Sequence, residues 1–527
     1  MARPQPQEPV IVVGSGIAGA LAALGAAESG PVVVITEGAL GDGSTRRAQG
    51  GIAAAVDRGD SVEAHLRDTL EAGAGLCDPE AAAAICREGP AQVTELLSRG
   101  VVFDRSRGRL RLAREGAHSA ARVVHAGGDA TGAHIVAALS AALRADRRIE
   151  LAEGERATEV VVRDGRAAGL RTTGADGLPR ERTARAVVLA SGGMGWLYPR
   201  TTNPPGATAD GPALAARAGA ALADLELVQF HPTALALGEG PLALVSEAVR
   251  GEGAVLRDAR GRRFMPDVHP MAELGPRDVV ARAIARRAAE LGAEVTLDLR
   301  HLDAEGVRGR FPTVAGLCAE HGLDLARDPI PVTPAAHYAI GGVLADMAGR
   351  STLPGLFAVG ECAATGAHGA NRLASNGLLE AAVLAAGAAE ALADGGDAWP
   401  EGPTATAIPP PPQAGGGEAV RAGLQGAMWR GVGVERDAEG IAAAAGALAS
   451  LPEGTDAGTD NLLLVARLAA SGAALRTESR GAHFRRDHPL PDPAQARRIA
   501  WVGDRPFHVP PTTPVARRRR ALAKEAA

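Results

Sequence analysis

Residues 9–27 read PVIVVGSGIAGALAALGAA. By hydropathy alone the run is uncharged and about the length of a membrane span. Residue by residue it reads differently. PVIVV is rich in β-branched residues, Gly14, Gly16 and Gly19 follow at G-x-G-x-x-G spacing, and IAGALAALGAAES carries helix-forming residues up to Gly30. A strand, a tight turn and a helix are predicted. A second strand, PVVVIT, comes next, and Glu37 lies about 20 residues beyond the glycines. In such a unit the backbone of Gly14, Ser15, Gly16, Ile17, Ala18 and Gly19 approaches a pyrophosphate at the helix N-terminus, and the acid grips a ribose hydroxyl. With 68 glycines in the chain, the alternative is a bare βαβ packing unit.

The composition narrows the chemistry. A chain of 527 residues, 46% hydrophobic, can bury a large core and hold two or three domains. A net charge of −5 gives no reason to expect nucleic acid or a membrane surface. Cys77, Cys86, Cys318 and Cys362 form no C-x-x-C pair, so neither an iron–sulfur cluster nor a metal site is expected. The only lysine is Lys524 in the tail, which argues against both a pyridoxal-phosphate Schiff base and a P-loop. MARPQPQE, with one arginine and one glutamate, is a poor lead for a secretory signal, so the expectation is a cytoplasmic chain.

Two distant segments specify the nucleotide. ARAVVLASGGMG (184–195) is a buried-strand pattern ending in glycines, and the stretch from Ser351 gives a strand, Gly360-Glu361, a loop and a long Ala/Leu helix. A second nucleotide-contacting strand so far downstream points to FAD, with Glu361 on the ribityl chain. The helix beginning near Ser375 can aim its N-terminus at the flavin.

Eight motifs, in one order, resemble the succinate dehydrogenase/fumarate reductase flavoprotein family: STRRAQGGIAAAV (44–56), EGAHSAARVVHAGGDATG (115–132), QFHPTAL (229–235), SEAVRGEGAVL (246–256), GPRDVVARA (275–283), HYAIGGV (337–343), GANRLASNGLLE (369–380) and ESRGAHFRRDHP (478–489). The resemblance implies an α/β fold: a discontinuous Rossmann-like FAD-binding domain (8–222 and 338–398) with an inserted, mobile α+β capping domain (223–337). A Pro/Gly-rich linker (399–417), a C-terminal helical bundle (418–510) and a frayed Arg-rich tail (511–527) complete the expectation. Ser44, Thr45, Ala48, Gln49, Gly50, Gly51, Asp210, Ser375, Gly377 and Leu378 are the further cofactor contacts it implies. Covalent members have a histidine in an H-T-x-x-A-Q-G-G context where this chain has Ser44, so the flavin is expected to be non-covalent.

The resemblance also assigns substrate roles. Arg372, His231, His337 and Ser246 match groups that bind the two carboxylates of a four-carbon acid. Arg277 matches the acid/base group. In GPRDVV a helix start with Pro276 at its first position is predicted, and a guanidinium opposes the positive field there. Arginine is ordinarily always protonated, so service as a base needs burial, that field and an acidic relay; Glu247 and Glu252 are the candidates. Glu115 matches the acid that the aspartate-oxidising branch places near the substrate's amino group, which rewards an ammonium and penalises a plain dicarboxylate.

The expected reaction is therefore FAD-dependent oxidation of L-aspartate to iminoaspartate, reoxidised by oxygen or fumarate, on the de novo NAD route with a link to quinolinate synthase. The alternatives are a flavoprotein subunit of a succinate dehydrogenase or fumarate reductase complex, and an inert FAD-binding module.

Overall fold

The computed structural model describes residues 8–238, 240–396 and 403–509. The Arg-rich tail, Lys524 and the start of the linker lie outside the described residues.

The opening stretch forms strand Val10–Val13, a turn, and helix Ile17–Ala26. The strand is wholly buried because it is central in a parallel sheet. Strand order is Leu356–Ala358, Ala186–Leu189, Val10–Val13, Val32–Thr36, Ile149–Glu153. The order reverses at Val10–Val13, and in open α/β sheets ligands collect beyond the strand ends at such a point. The glycines serve distinct needs. Gly14 has φ +109°, and a Cβ there would lie 2.3 Å from the Ala190 carbonyl oxygen. A Cβ on Gly19 would lie 2.0 Å from the Gly14 oxygen, so this glycine lets helix and strand touch.

Helix Asn376–Ala393 packs on Ile17–Ala26. A Cβ on Gly25 would come within 2.6 Å of the Ala389 methyl, so the two helices meet nearly backbone to backbone. This is the one described helix long and apolar enough to cross a membrane, and 61% of it is buried against its neighbours.

A second core spans residues 235–332. Its sheet is antiparallel, ordered Val228–Leu235, Ile330–Ala339, Val295–Asp298, Val255–Arg257. Helix Arg277–Leu291 packs across it. The helix differs from expectation by one position: Pro276 is the N-cap, its carbonyl accepting from Val280 N–H at 3.1 Å, and Arg277 is the first helical residue.

Three helices, Gly417–Gly431, Ala438–Ser450 and Ala457–Leu475, pack mutually as the C-terminal bundle. An edge-to-face aromatic series, Tyr198–Phe230–Trp429, seats it on the rest of the chain, and Tyr198 donates to the Val432 carbonyl at 2.9 Å. Beyond this expected helical bundle the region 418–510 also holds two strands. Ile499–Val502 and Arg505–His508 form a hairpin whose inner strand pairs with Leu222–Ala223, Trp501 opposite Leu222. Trp501 is 3% exposed, so burying it outweighs any continuation of the bundle.

Candidate functional site

One cavity of about 990 Å³ runs from the ends of the parallel sheet to the helix Arg277–Leu291. Its lining brings together every residue predicted to bind cofactor or substrate except Gly19, which is spent on packing: Gly14, Ser15, Gly16, Ile17, Ala18, Glu37, Ser44, Thr45, Ala48, Gln49, Gly50, Gly51, Asp210, Glu361, Ser375, Gly377 and Leu378 at the cofactor end, and Glu115, His231, Ser246, Glu247, Arg277, His337 and Arg372 at the other.

The cofactor end fits FAD. The N-cap of Ile17–Ala26 is Gly16, which offers no side-chain acceptor, and no acid stands in the first turn. Its positive end is thus left to an anionic ligand. Thr45 Oγ1 accepts from Ile17 N–H at 3.2 Å and joins the STRRAQGG loop to the helix start. The second helix at the cavity, Asn376–Ala393, is likewise uncapped by its N-cap Ser375, which sits in the left-handed region at φ +60°. Gln49 Oε1 is buried without a partner. Glu361 accepts from Ala339 N–H at 2.9 Å, and burial pushes its carboxyl up to about 7. Glu37 does not stand alone: Arg156 bridges it at 3.0 Å to Asp210 at 2.9 Å. Arg421 and Gly458, from the C-terminal bundle, also line this end.

The other end is built for anions. Thr233 N–H donates to His231 Nδ1 at 3.2 Å, which leaves the proton of the neutral ring on Nε2. That Nε2 is buried and unpartnered. Burial, with Arg277 next in weight, holds His231 and His337 well below the usual histidine range, so both rings are neutral. His337 Nδ1 lies 2.8 Å from the Thr202 hydroxyl. Ser246 is the N-cap of the short helix Glu247–Gly251, accepting from Ala248 N–H at 3.3 Å, and its own hydroxyl proton remains to donate. Arg372 is 6% exposed, with Nε unpartnered and its Cζ 4.3 Å above the Tyr338 ring. Burial and then Arg277 lower it to about 10, which keeps it cationic at neutral pH. A buried cation without a direct ion pair among the described residues is costly, and a carboxylate brought against it would offset that cost.

The field at the helix start is answered by an acid. Arg277 donates from Nε to Glu247 Oε2 at 2.6 Å and from Nη1 to Gln229 Oε1 at 3.1 Å. Arg250 Nη2 lies 3.7 Å from the other Glu247 oxygen and is fully buried. Burial lowers Arg250, partly opposed by Glu247. Glu252 is corrected as a relay member: it is exposed and pairs with Arg310, so the buried sequence runs Arg277–Glu247–Arg250.

Glu115 is a second acid, with Glu247, at this end of the cavity. Oε2 accepts from the Ser375 hydroxyl at 2.7 Å, and Oε1, unpartnered, faces His125 Nε2 at 3.6 Å. Burial pushes its carboxyl up, but His125, Ser375 and Arg277 outweigh that and leave it at about 2. The cavity thus presents two donors without hydrogen bonds, His231 Nε2 and Arg372 Nε, together with an ionised acceptor without one, Glu115 Oε1. Gln229, Arg250, Tyr338 and His125 are participants the residue-by-residue reading omits. All four lie inside its motifs, and Arg250 stands three residues from Glu247, one helical turn on.

A family model described as FAD binding domain matches residues 9–378, and one described as Fumarate reductase flavoprotein C-term matches residues 455–505. The chain is 48% identical to the L-aspartate oxidase of Streptomyces coelicolor, over 94% of this chain and 91% of that one. It is 46% identical to the L-aspartate oxidase of Caulobacter vibrioides, over 94% and 96%. Among solved structures, E. coli quinol fumarate reductase superposes with a TM-score of 0.86 at 30% identity, covering 96% of this chain and 98% of that one.

Proposed function

The chain belongs to the succinate dehydrogenase/fumarate reductase flavoprotein family and binds FAD, and from that premise we propose that it oxidises L-aspartate to iminoaspartate. The observation that carries this reading is Glu115: an ionised, buried carboxylate with one oxygen that has no hydrogen bond and lies 3.6 Å from His125, sharing a cavity with Arg277 and Arg372. A plain dicarboxylate gains nothing from that acid, whereas an α-ammonium does.

In this reading Arg372, His231, His337 and Ser246 take the two carboxylates, and Glu115 takes the ammonium. Holding both ends fixes the α-carbon against the cofactor end of the cavity. Arg277 exchanges a proton with the substrate through its guanidinium, and Glu247 and Arg250 pass it on. Closure of the segment 223–337 over the substrate excludes water and strengthens each of these contacts. FAD, held along Gly14–Ala18, Thr45 and Glu361, would supply the hydride acceptor for this oxidation and would pass its electrons to oxygen or fumarate. Ser44 offers no ring nitrogen for a covalent link, so the flavin is held non-covalently. The product feeds quinolinate formation on the de novo NAD route, in the cytoplasm, with quinolinate synthase as the next enzyme.

The test is aspartate-dependent peroxide formation by the purified holoprotein, with fumarate replacing oxygen under anaerobic conditions. An enzyme that reduces fumarate but leaves aspartate untouched would shift the assignment to a fumarate reductase subunit, and flavin retained on acid-precipitated protein would point the same way.

A further inference from the structure

Behind the substrate end lies a buried carboxylate that touches neither the cavity nor, among the described residues, any arginine. Glu380 sits one turn into helix Asn376–Ala393 and is 2% exposed. Three donors hold it. The Thr365 hydroxyl donates to Oε1 at 2.7 Å, the Tyr338 hydroxyl donates to Oε2 at 3.0 Å, and His368 Nε2 lies 2.8 Å from Oε2. The His368 ring also meets the Tyr338 ring edge-on, with centroids 5.6 Å apart. Burying a carboxylate costs several kcal/mol before its partners repay it, so a volume-matched apolar side chain would serve packing more cheaply.

What the arrangement does is fix the Tyr338 ring. That ring carries the Arg372 guanidinium, with Cζ 4.3 Å from its centroid, the closest cation–ring approach among the described residues. Arg372 has little else to hold it. It enters no ion pair among the described residues, its Nε is unpartnered, and its Nη1 reaches only the Leu373 carbonyl at 3.5 Å. A ring gripping one face of a guanidinium leaves the in-plane N–H edge free, which is the geometry a carboxylate takes bidentately. Tyr338 and Arg372 line the cavity; Glu380, His368 and Thr365 do not.

The geometry points to Glu380 and Tyr338 as positioning residues of the carboxylate clamp: Glu380 locks the Tyr338 ring, and the ring aims Arg372 at the substrate. This rests on the reading of Arg372 as a carboxylate ligand.

A double-mutant cycle tests it. Dissociation constants of fumarate and of succinate, a dicarboxylate lacking the ammonium, are read from the flavin absorbance change of the holoprotein. Tyr338→Phe and Glu380→Gln are each made alone and in an Arg372→Leu background, with FAD content and thermal midpoint recorded throughout. Losing the hydroxyl's buried hydrogen bond should weaken dicarboxylate binding about 2- to 12-fold. Glu380→Gln keeps an oxygen for the tyrosine and should weaken it less. In the Arg372→Leu background both changes should do nothing further, because two residues that act through one group are not additive. An undiminished loss in that background, or no loss in the wild-type one, overturns the proposal. Wild-type dicarboxylate binding by Arg372→Leu alone would instead overturn the reading of Arg372. Should Tyr338→Phe fail to fold or hold FAD, the Glu380→Gln arm of the cycle measures the same coupling.

Discussion

Arg277 donates to Glu247 at 2.6 Å from the first position of its helix, while the second oxygen of that carboxylate faces Arg250. The pair makes the arginine's location intelligible. The Glu247 carboxylate offsets the opposed helix field at that position, and in the proposed reaction it is the group that receives or returns the proton. Arg277→Leu should nearly abolish fumarate reduction by pre-reduced enzyme at saturating substrate, measured across pH. Arg277→Lys should retain part of it with an altered pH profile, since the reference pKa of lysine, about 10.4, lies below that of arginine. If both variants raise KM and leave the maximal rate near wild type, Arg277 is an anchor and not a proton carrier.

Glu115→Gln keeps the Ser375 contact and removes the charge. Aspartate oxidation should fall by about 5- to 150-fold, the value of one ion contact, while fumarate reduction is spared or improved. The ratio of kcat/KM for the two substrates is the readout. Equal losses would take ammonium recognition away from Glu115.

Glu361 gives a pH signature in the apoprotein. Its folded-state value of about 7 lies above the ordinary 4.5. The fold therefore prefers the neutral carboxyl, with that contribution complete below 4.5 and lost as pH rises through about 7. The loss is on the order of 3 kcal/mol. Urea midpoints of apo wild type and apo Glu361→Gln, taken at pH 5 and pH 8, isolate it: wild type should lose ground to the variant as pH rises. Parallel responses would mean that Glu361 is not buried as described.

Arg476 is the stability test. It is 1% exposed and donates to Glu226, itself fully buried, at 3.0 Å from Nε, and to Glu478 at 3.2 Å from Nη1. Arg476→Leu strands the Glu226 carboxylate, which should cost about 3–5 kcal/mol. Adding Glu226→Leu to that variant should recover part of it. A thermal midpoint unmoved by Arg476→Leu would show that water already reaches the pair.

The parts of this molecule legible in its sequence are those whose chemistry is local. Gly14 to Gly19 sit within one turn because a pyrophosphate must meet a bare backbone there, and the arginines of the cavity, Arg277 and Arg372, sit in short motifs. Other features leave no local mark. Leu222–Ala223 is a two-residue strand whose identity comes from Val343 on one side and Trp501 on the other, and no window around it holds either. Arg250 and Tyr338 stand inside recognised motifs, but their roles depend on what faces them: Glu247 for one, Arg372 and Glu380 for the other. One local signal does exist outside the motifs: Asp164-Gly165, both at positive φ, turns the hairpin of Glu155–Arg163 and Arg166–Gly174.

The cavity lining begins at Val13 and ends at Gly458. A chain still emerging from the ribosome therefore has no complete cofactor chamber until more than four-fifths of it has been made. The parallel sheet shares this lateness, since its edge strand Leu356–Ala358 arrives long after Val10–Val13. Contacts so distant along the chain form slowly, and they leave apolar strands bare meanwhile. Flavin capture is consequently a late event in the life of each molecule, and a shortage of FAD during synthesis would be felt as a longer-lived open apoprotein rather than as a block early in folding.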